Sequence, residues 1–373
     1  MGRKKLKKSH GFGFTHALNY RCPICCIVPP YMLEKIAVNG SPTQREWAFE
    51  TLNLSAQTRG RRMGLGNKVE APQTGQKNRI IYDAKNSQQL PGEIVRKEGD
   101  SPSGDEAVDE AYEAAGATYD FFKEICDRNS IDNKGLRLDS TVHYGQDYEN
   151  AFWNGSQMVY GDGDGELFNR FTKSVDVIGH ELTHGVNQYE ANLIYFGEAG
   201  AINESFSDVF GSLVKQRINK QTVDEADWLI GVGLFTDKVN GKGIRSMKAP
   251  GTAYDDPVLG KDPQPGHMKD IYIGTKDNGG VHINSGIPNR AFYLAAKEIG
   301  GYAWEKTGKI WYVSLCEKLD SKANIQRTSE VTIEVAGELY GQGSNEQKAV
   351  ENAWKEVGVE QSSVNSEQRT VKS

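Results

Sequence analysis

Val177-Ile178-Gly179-His180-Glu181-Leu182-Thr183-His184-Gly185 is the stretch from which the rest of the chain is read. It places H-E-x-x-H inside an apolar run that reads as helix. At about 3.6 residues per turn, His180 and His184 lie on one face about one turn apart. Two imidazoles at that separation can share one Zn²⁺, and Glu181 can reach a water on that metal. Taken alone, the pattern also fits two histidines on an ordinary amphipathic helix, and the chain that follows has to decide.

Hydrolytic zinc takes three protein ligands and leaves a position for water. Gly200-Ala201-Ile202-Asn203-Glu204-Ser205-Phe206-Ser207-Asp208 offers Glu204 as the third ligand, twenty residues after His184. Asp208 falls on the same helical face, where it can accept the second N–H of a ligand histidine and set its tautomer. A solvated acidic face is the alternative. Ile202, Phe206, Val209 and Phe210 argue against it, because they mark this helix as buried, and buried carboxylates need partners. Two neutral imidazoles and one carboxylate leave a zinc site near +1. That charge acidifies the bound water, which Glu181 deprotonates before passing the proton to a leaving nitrogen. The resulting oxyanion needs further donors. Asp277-Asn278-Gly279-Gly280-Val281-His282 supplies a candidate in His282, oriented by Asp277, although a surface-loop histidine reads equally well from these residues alone.

At 373 residues the chain has room for two domains, or for one domain and an accessory segment. A net charge of −6 gives no reason to invoke nucleic acid or an anionic membrane. No run approaches the roughly 18–20 apolar residues of a membrane span. Five cysteines, three of them in the first 26 residues, are not a secreted disulfide framework. The basic start is followed by no clean apolar stretch or cleavage site. Secretion is therefore expected by a non-classical route, with a cytoplasmic location as the alternative. Cys22-Pro23-Ile24-Cys25 lacks the histidine spacing of a zinc knuckle. A thiol capping the zinc of a latent precursor is another use, and the roles of Cys22, Cys25 and Cys26 stay open.

Along the chain, residues 1–20 read as a basic tail, with short helices from Val28 and over 43–54. Residues 57–75, containing Arg59-Gly60-Arg61-Arg62, have the composition of a cleavable linker. Strands are expected at 78–83, 138–144 and 158–160, extended chain at 150–153, and a long helix over 105–126. The glycine-rich 161–165 reads as a tight turn rather than a calcium loop. The metal helix spans 174–192. Beyond it, helices are expected at 201–216, 287–299, 301–318, 324–340 and 344–357. The fold class is α+β: a mixed domain over 76–199 carrying the metal helix, a helical domain over 200–360, and a disordered tail over 361–373.

Together these motifs, with Asn150-Ala151-Phe152-Trp153-Asn154-Gly155, closely resemble the thermolysin-like (M4) zinc metalloproteases over roughly residues 80–357. The resemblance implies a two-domain fold with the zinc helix at the cleft. It implies His180, His184 and Glu204 as ligands, Glu181 as general base and Asp208 as the partner of His180. Tyr195 and His282 would be the oxyanion donors, with Asp277 behind His282. Asn150, Ala151 and Arg245 would hold the peptide backbone. Phe168, Val177, Ile230 and Ile244 would line an apolar S1′ pocket, implying cleavage before large apolar residues. Pro29-Pro30-Tyr31-Met32-Leu33 resembles the short precursor segment of protealysin-like members. Residues 1–75 would then be an inhibitory prosegment, the chain's own partner beside its peptide substrates, and the protein a monomer. The family's double-calcium site departs from pattern: Asp176 matches, but Lys215, Leu229 and Val232 replace expected ligands, so that site is predicted absent. A zinc aminopeptidase is one competing reading, but the G-x-M-E-N motif is not found. A non-catalytic binding protein held latent by its N-terminal segment is the other.

Overall fold

The computed structural model describes residues 25–64 and 75–360. The expected basic tail, Cys22 and the C-terminal tail lie outside them, as do the side chains of Cys25 and of residues 58–64. Three N-terminal elements, β1 (Cys25–Cys26), α1 (Pro30–Asn39) and α2 (Pro42–Gly64), precede the part that carries the motifs. Strands β2 (Arg79–Asp83) to β6 (Met158–Tyr160) follow, with β3 at Glu93–Lys97, β4 at Leu138–Val142 and β5 at Ala151–Trp153. Between them runs α3 (Glu106–Cys126), begun by Asp105, whose carboxylate accepts the N–H of Ala107 and Val108.

The six strands form one sheet in the order β1-β5-β6-β4-β2-β3. The β2–β4 and β4–β6 pairs are parallel and the others antiparallel. The N-terminal segment therefore supplies an edge strand, pairing Cys25 with Trp153 and Cys26 with Phe152.

The metal helix is α4 (Val175–Tyr189), buried without interruption from Asp176 to Asn187. Beside it packs α5 (Gly197–Ile218). Two glycines set their separation. A Cβ on Gly211 would sit 2.3 Å from the Asp176 carbonyl oxygen, and one on Gly179 would sit 3.0 Å from the Gly211 Cα. This close approach brings the histidines of α4 to the carboxylates of α5. After β7 (Leu229–Ile230) and β8 (Arg245–Ser246) the chain is mostly helical: α6 (Lys276–Asn284), α7 (Gly286–Ile299), α8 (Thr307–Val313), α9 (Ile325–Tyr340) and α10 (Asn345–Glu356). No helix among the described residues is long and apolar enough to cross a membrane.

The structure departs from the sequence reading in several places. The expected linker is partly helix, because α2 runs on to Gly64: Arg, Gln and Met are good helix formers and one Gly60 does not stop them. Strand β3 was not foreseen, since four of its five residues are exposed and it lacks an apolar alternation. The metal helix stops at Tyr189 rather than Asn192, as Glu190 leaves helical geometry at φ −112°, ψ −105°. The single helix expected over 301–318 is α8 followed by a π-helical turn at Ser314–Lys318.

Candidate active site

The α4–α5 contact brings His180, His184 and Glu204 together, with one ligand atom from each within 4.8 Å of the others. His180 Nε2 and His184 Nε2 face each other at 3.0 Å. Each lies 3.4 Å from an oxygen of Glu204. Both Nδ1 atoms are turned away and engaged. His180 Nδ1 meets Asp208 Oδ1 at 2.8 Å. His184 Nδ1 meets Asn203 Oδ1 at 2.8 Å and Ser207 Oγ at 3.0 Å. Glu204 Oε2 is buried without a hydrogen-bond partner. Two imidazole nitrogens and a carboxylate converging with their lone pairs inward are the donor set of a hydrolytic zinc site, so the residues present fit the metal.

The charges around this centre are tightly arranged. Asp208 takes Arg245 Nε and Nη2 and Asn289 Nδ2, each at 2.8 Å, as well as His180. Burial works against its charge, but Arg245 and His180 outweigh it and hold the carboxyl down at about 2. Burial likewise opposes charge on His180, yet Asp208 and Glu204 raise it to about 9. Burial dominates at His184 and lowers it to about 3. Glu181, fully buried, is pushed well above the usual carboxyl range by burial, against the pull of His180. Its Oε2 accepts the Trp153 N–H at 3.0 Å, and its Oε1 has no partner.

His282 comes from a turn that only this sequence of residues tolerates well. Asp277, Asn278, Gly279 and Gly280 all have positive φ, from 50° to 84°, and Asn and Gly bear that conformation at low cost. The turn folds the Asp277 carboxylate back onto the helix it precedes. It accepts the N–H groups of His282 and Ile283 and meets His282 Nδ1 at 2.6 Å. His282 Nε2 is thereby aimed into the cleft, 3.1 Å from the Tyr195 hydroxyl. Tyr195 itself donates to Glu204 Oε1.

The N-terminal segment lies along this machinery. His282 Nε2 meets the carbonyl oxygen of Cys26 at 3.0 Å. Ile27 N–H donates to the Ala151 carbonyl at 3.2 Å, and the Ile27 carbonyl accepts Arg245 Nη1 at 3.1 Å. Asn150 brackets Val28, its Oδ1 accepting the N–H at 3.0 Å and its Nδ2 donating to the carbonyl at 3.2 Å. Phe168, Val177, Ile230 and Ile244 are each wholly buried in the apolar cluster that also takes Ile27 and Val28. Eleven of the fifteen residues singled out from the sequence are joined by these contacts, and Phe168, Val177, Ile230 and Ile244 lie in the large apolar core beside them. Asn203, Ser207 and Asn289, which support the ligands and Asp208, were not foreseen. The first two were open to inference, since each lies one residue before Glu204 or Asp208 on α5.

The cysteines resolve in part. Cys26 is buried on the far face of the sheet with Ala84, Tyr144, Tyr148, Phe152 and Val159. Its backbone carbonyl, not its thiol, is what the described contacts bring to the cleft.

Comparison with known proteins agrees with this geometry. Residues 44–188 match the family described as thermolysin metallopeptidase, catalytic domain, and residues 191–359 match its alpha-helical domain. An extracellular metalloprotease of Pectobacterium carotovorum subsp. carotovorum is 54% identical over 339 residues, covering 91% of this chain and 97% of that protein. Protease PrtS of Photorhabdus sp. (strain Az29) is 50% identical over 341 residues, 89% of this chain and 91% of its own. The solved precursor of protealysin, a metalloproteinase from Serratia proteamaculans, superposes with a TM-score of 0.83 at 56% identity, covering 90% of this chain and all of that one. The chain belongs to the thermolysin-like M4 family of metallopeptidases, within its protealysin type.

Proposed function

We propose that the protein is a zinc-dependent neutral endopeptidase made as a latent precursor, cleaving on the N-terminal side of large apolar residues. The observation that carries this reading is the register of residues 26–28 in the cleft. The carbonyl of Cys26 sits on His282, the next residue is the fully buried, apolar Ile27, and Arg245 and Asn150 hold the backbone beyond. That is how a substrate bond with an apolar residue after it would lie. The segment is interior to the chain, which favours an endopeptidase over an aminopeptidase, whose site must end at a free amine.

In this reading His180, His184 and Glu204 hold the metal. When bound, the zinc acidifies a water and polarises the carbonyl to be attacked. Glu181 takes the water's proton and returns it to the leaving nitrogen. His282, kept in one tautomer by Asp277, donates to the developing oxyanion, joined by Tyr195 once its hydroxyl turns from Glu204. Asp208 and Asn203 keep the two ligand imidazoles with Nε2 facing the metal. Asn150, Ala151 and Arg245 bind the substrate backbone through the donors and acceptors now used on residues 27 and 28.

Residues 25 to at least 57 act as the prosegment, occupying the substrate's place until removed. The double-calcium site is replaced by Lys215, whose ammonium lies 2.8 Å from Asp176, 2.9 Å from Asp227 and 2.6 Å from the Leu229 carbonyl. A cation supplied by the chain takes the position between those oxygens. Relatives named as extracellular metalloproteases support secretion.

The test is hydrolysis of an N-terminally blocked peptide with leucine at the position after the cleaved bond, by protein freed of its prosegment. Cleavage that follows zinc content and disappears in Glu181→Ala supports the reading. Cleavage only of peptides with a free N-terminus would overturn it.

A further inference from the structure

Glu149 immediately precedes the substrate-binding Asn150 and is fully buried. Among the described residues, neither of its carboxyl oxygens meets a donor group. The group within hydrogen-bonding reach is another acid, Asp164. Asp164 Oδ1 accepts three backbone N–H groups, from Glu166 at 3.0 Å, Leu167 at 2.7 Å and Phe168 at 2.8 Å. Its Oδ2 is buried and without a donor. Two carboxyl groups can face each other away from water only with a proton between them. Three N–H donors on Asp164 and none on Glu149 leave that proton on Glu149.

The surroundings reinforce this. The charges acting on Glu149 are those of Asp164 and Asp147, both negative. On the same glycine-rich loop, Asp162 is engaged by His143 at 2.8 Å. From α2 above, Glu50 lines the adjoining cleft with Thr51, Leu54 and Tyr148. Helix α2 packs on the chain that carries Glu149. The Glu149 N–H donates to Thr51 Oγ1 at 3.3 Å, and Ser55 Oγ meets the Tyr148 hydroxyl at 3.0 Å. Thr51 and Ser55 are both buried in that contact. The pair also joins two parts of the substrate site. Glu149 adjoins Asn150, which holds Val28, and Asp164 caps the loop that ends in Phe168.

We propose that Glu149 is a positioning residue for the substrate-binding edge: its proton, shared with Asp164, ties the strand bearing Asn150 to the loop bearing Phe168, and docking of the prosegment takes that proton up and seals it beneath α2. This rests on the reading of the N-terminal segment as a docked prosegment. Burial, and then Asp164 and Asp147, push the Glu149 carboxyl up to about 9 while α2 is in place. With α2 lifted and water admitted, its affinity for the proton falls toward that of an ordinary glutamate, about 4.3. Between those limits the docked state holds one proton more than the open state. Docking therefore weakens as pH rises, by up to about tenfold per pH unit, and the dependence levels off above the docked value.

The experiment uses the full-length chain carrying Glu181→Ala, so that the prosegment stays attached. Hydrogen exchange at the Ile27 and Val28 amides, corrected for intrinsic rates, is measured at pH 6 and pH 8. Infrared spectra are recorded at pH 7. Protection is expected to fall at least tenfold between the two pH values, with a protonated-carboxyl carbonyl band present at pH 7. Adding Glu149→Gln, which keeps a donor toward Asp164 but cannot titrate, should flatten the pH dependence, retain the protection and remove the band. Adding Glu149→Ala should lower protection at both pH values. The proposal falls if Glu149→Gln keeps the wild-type pH slope, if the band survives that substitution, or if calcium rather than acid restores protection at pH 8. Amides unprotected at both pH values would instead sink the docking reading on which it rests.

Discussion

His282 donates through Nε2 to the carbonyl oxygen of Cys26 at 3.0 Å, the contact an oxyanion-binding imidazole would make with a substrate. On the proposed reading, latency in this chain is occupation of an assembled site. The residue that follows, Ile27, is fully buried in the apolar cluster. Placing a charge there costs several kcal/mol unless it is paired. Ile27→Asp should therefore loosen the segment and raise the activity of the full-length protein on a blocked peptide by about tenfold or more, without a change in the activity of the processed form.

Glu181 is fully buried beside the ligand His180. Glu181→Ala should lower kcat by at least about 10³-fold, at the upper part of the range for a lost general base. Intact-mass measurement of incubated protein then separates two routes of processing. A wild-type chain that shortens while the variant does not is cutting itself.

Asp208 is the common partner of His180, Arg245 and Asn289. Asp208→Asn keeps the size but removes the charge that orients the ligand and balances the guanidinium. Zinc affinity or kcat/KM should fall about 10–100-fold, as for other residues that orient a metal-bound histidine. Titration with a chelator alongside the kinetics checks both.

Lys215 is almost fully buried among Asp176, Asp227 and the Leu229 carbonyl. Removing one partner of such a pair leaves an uncompensated charge, so Lys215→Met should cost about 3 kcal/mol and several degrees in Tm. Protein stripped with EDTA and given zinc alone should recover its full Tm. A further rise on adding calcium would contradict replacement of the calcium site by lysine.

His143 lies between Asp162 at 2.8 Å and Asp105 at 3.2 Å, and these carboxylates, Asp162 above all, raise its pKa to about 9. A histidine raised in the folded state stabilises fully below its ordinary value of about 6.5 and loses that contribution as pH rises through about 9. Thermal stability should decline across that interval, and His143→Gln should flatten the decline.

How much of this was open to reading from the chain depends on the range of each interaction. His180, His184, Glu204 and Asp208 were legible because helical periodicity is local: residues four apart share a face whatever surrounds them. Strand β3 was not legible, since its exposed residues carry no alternation and its place is set by pairing with β2. Nor was the split of the helix expected over 301–318, because a π-helical turn leaves no clear mark in composition.

The sequence by itself pointed to the chemistry: which residues could bind zinc and which could move a proton, with His282 left open between an oxyanion donor and a surface-loop histidine. Only the tertiary structure decided that Cys26, Ile27 and Val28 meet His282, Arg245 and Asn150, that Cys26 packs with Tyr144, Tyr148 and Phe152, and that Glu149 comes beside Asp164. The hydrogen bond from Val28 to Asn150, 122 residues apart, and the approach of two acids are set by packing between distant segments. No local pattern of residue types encodes where such partners meet.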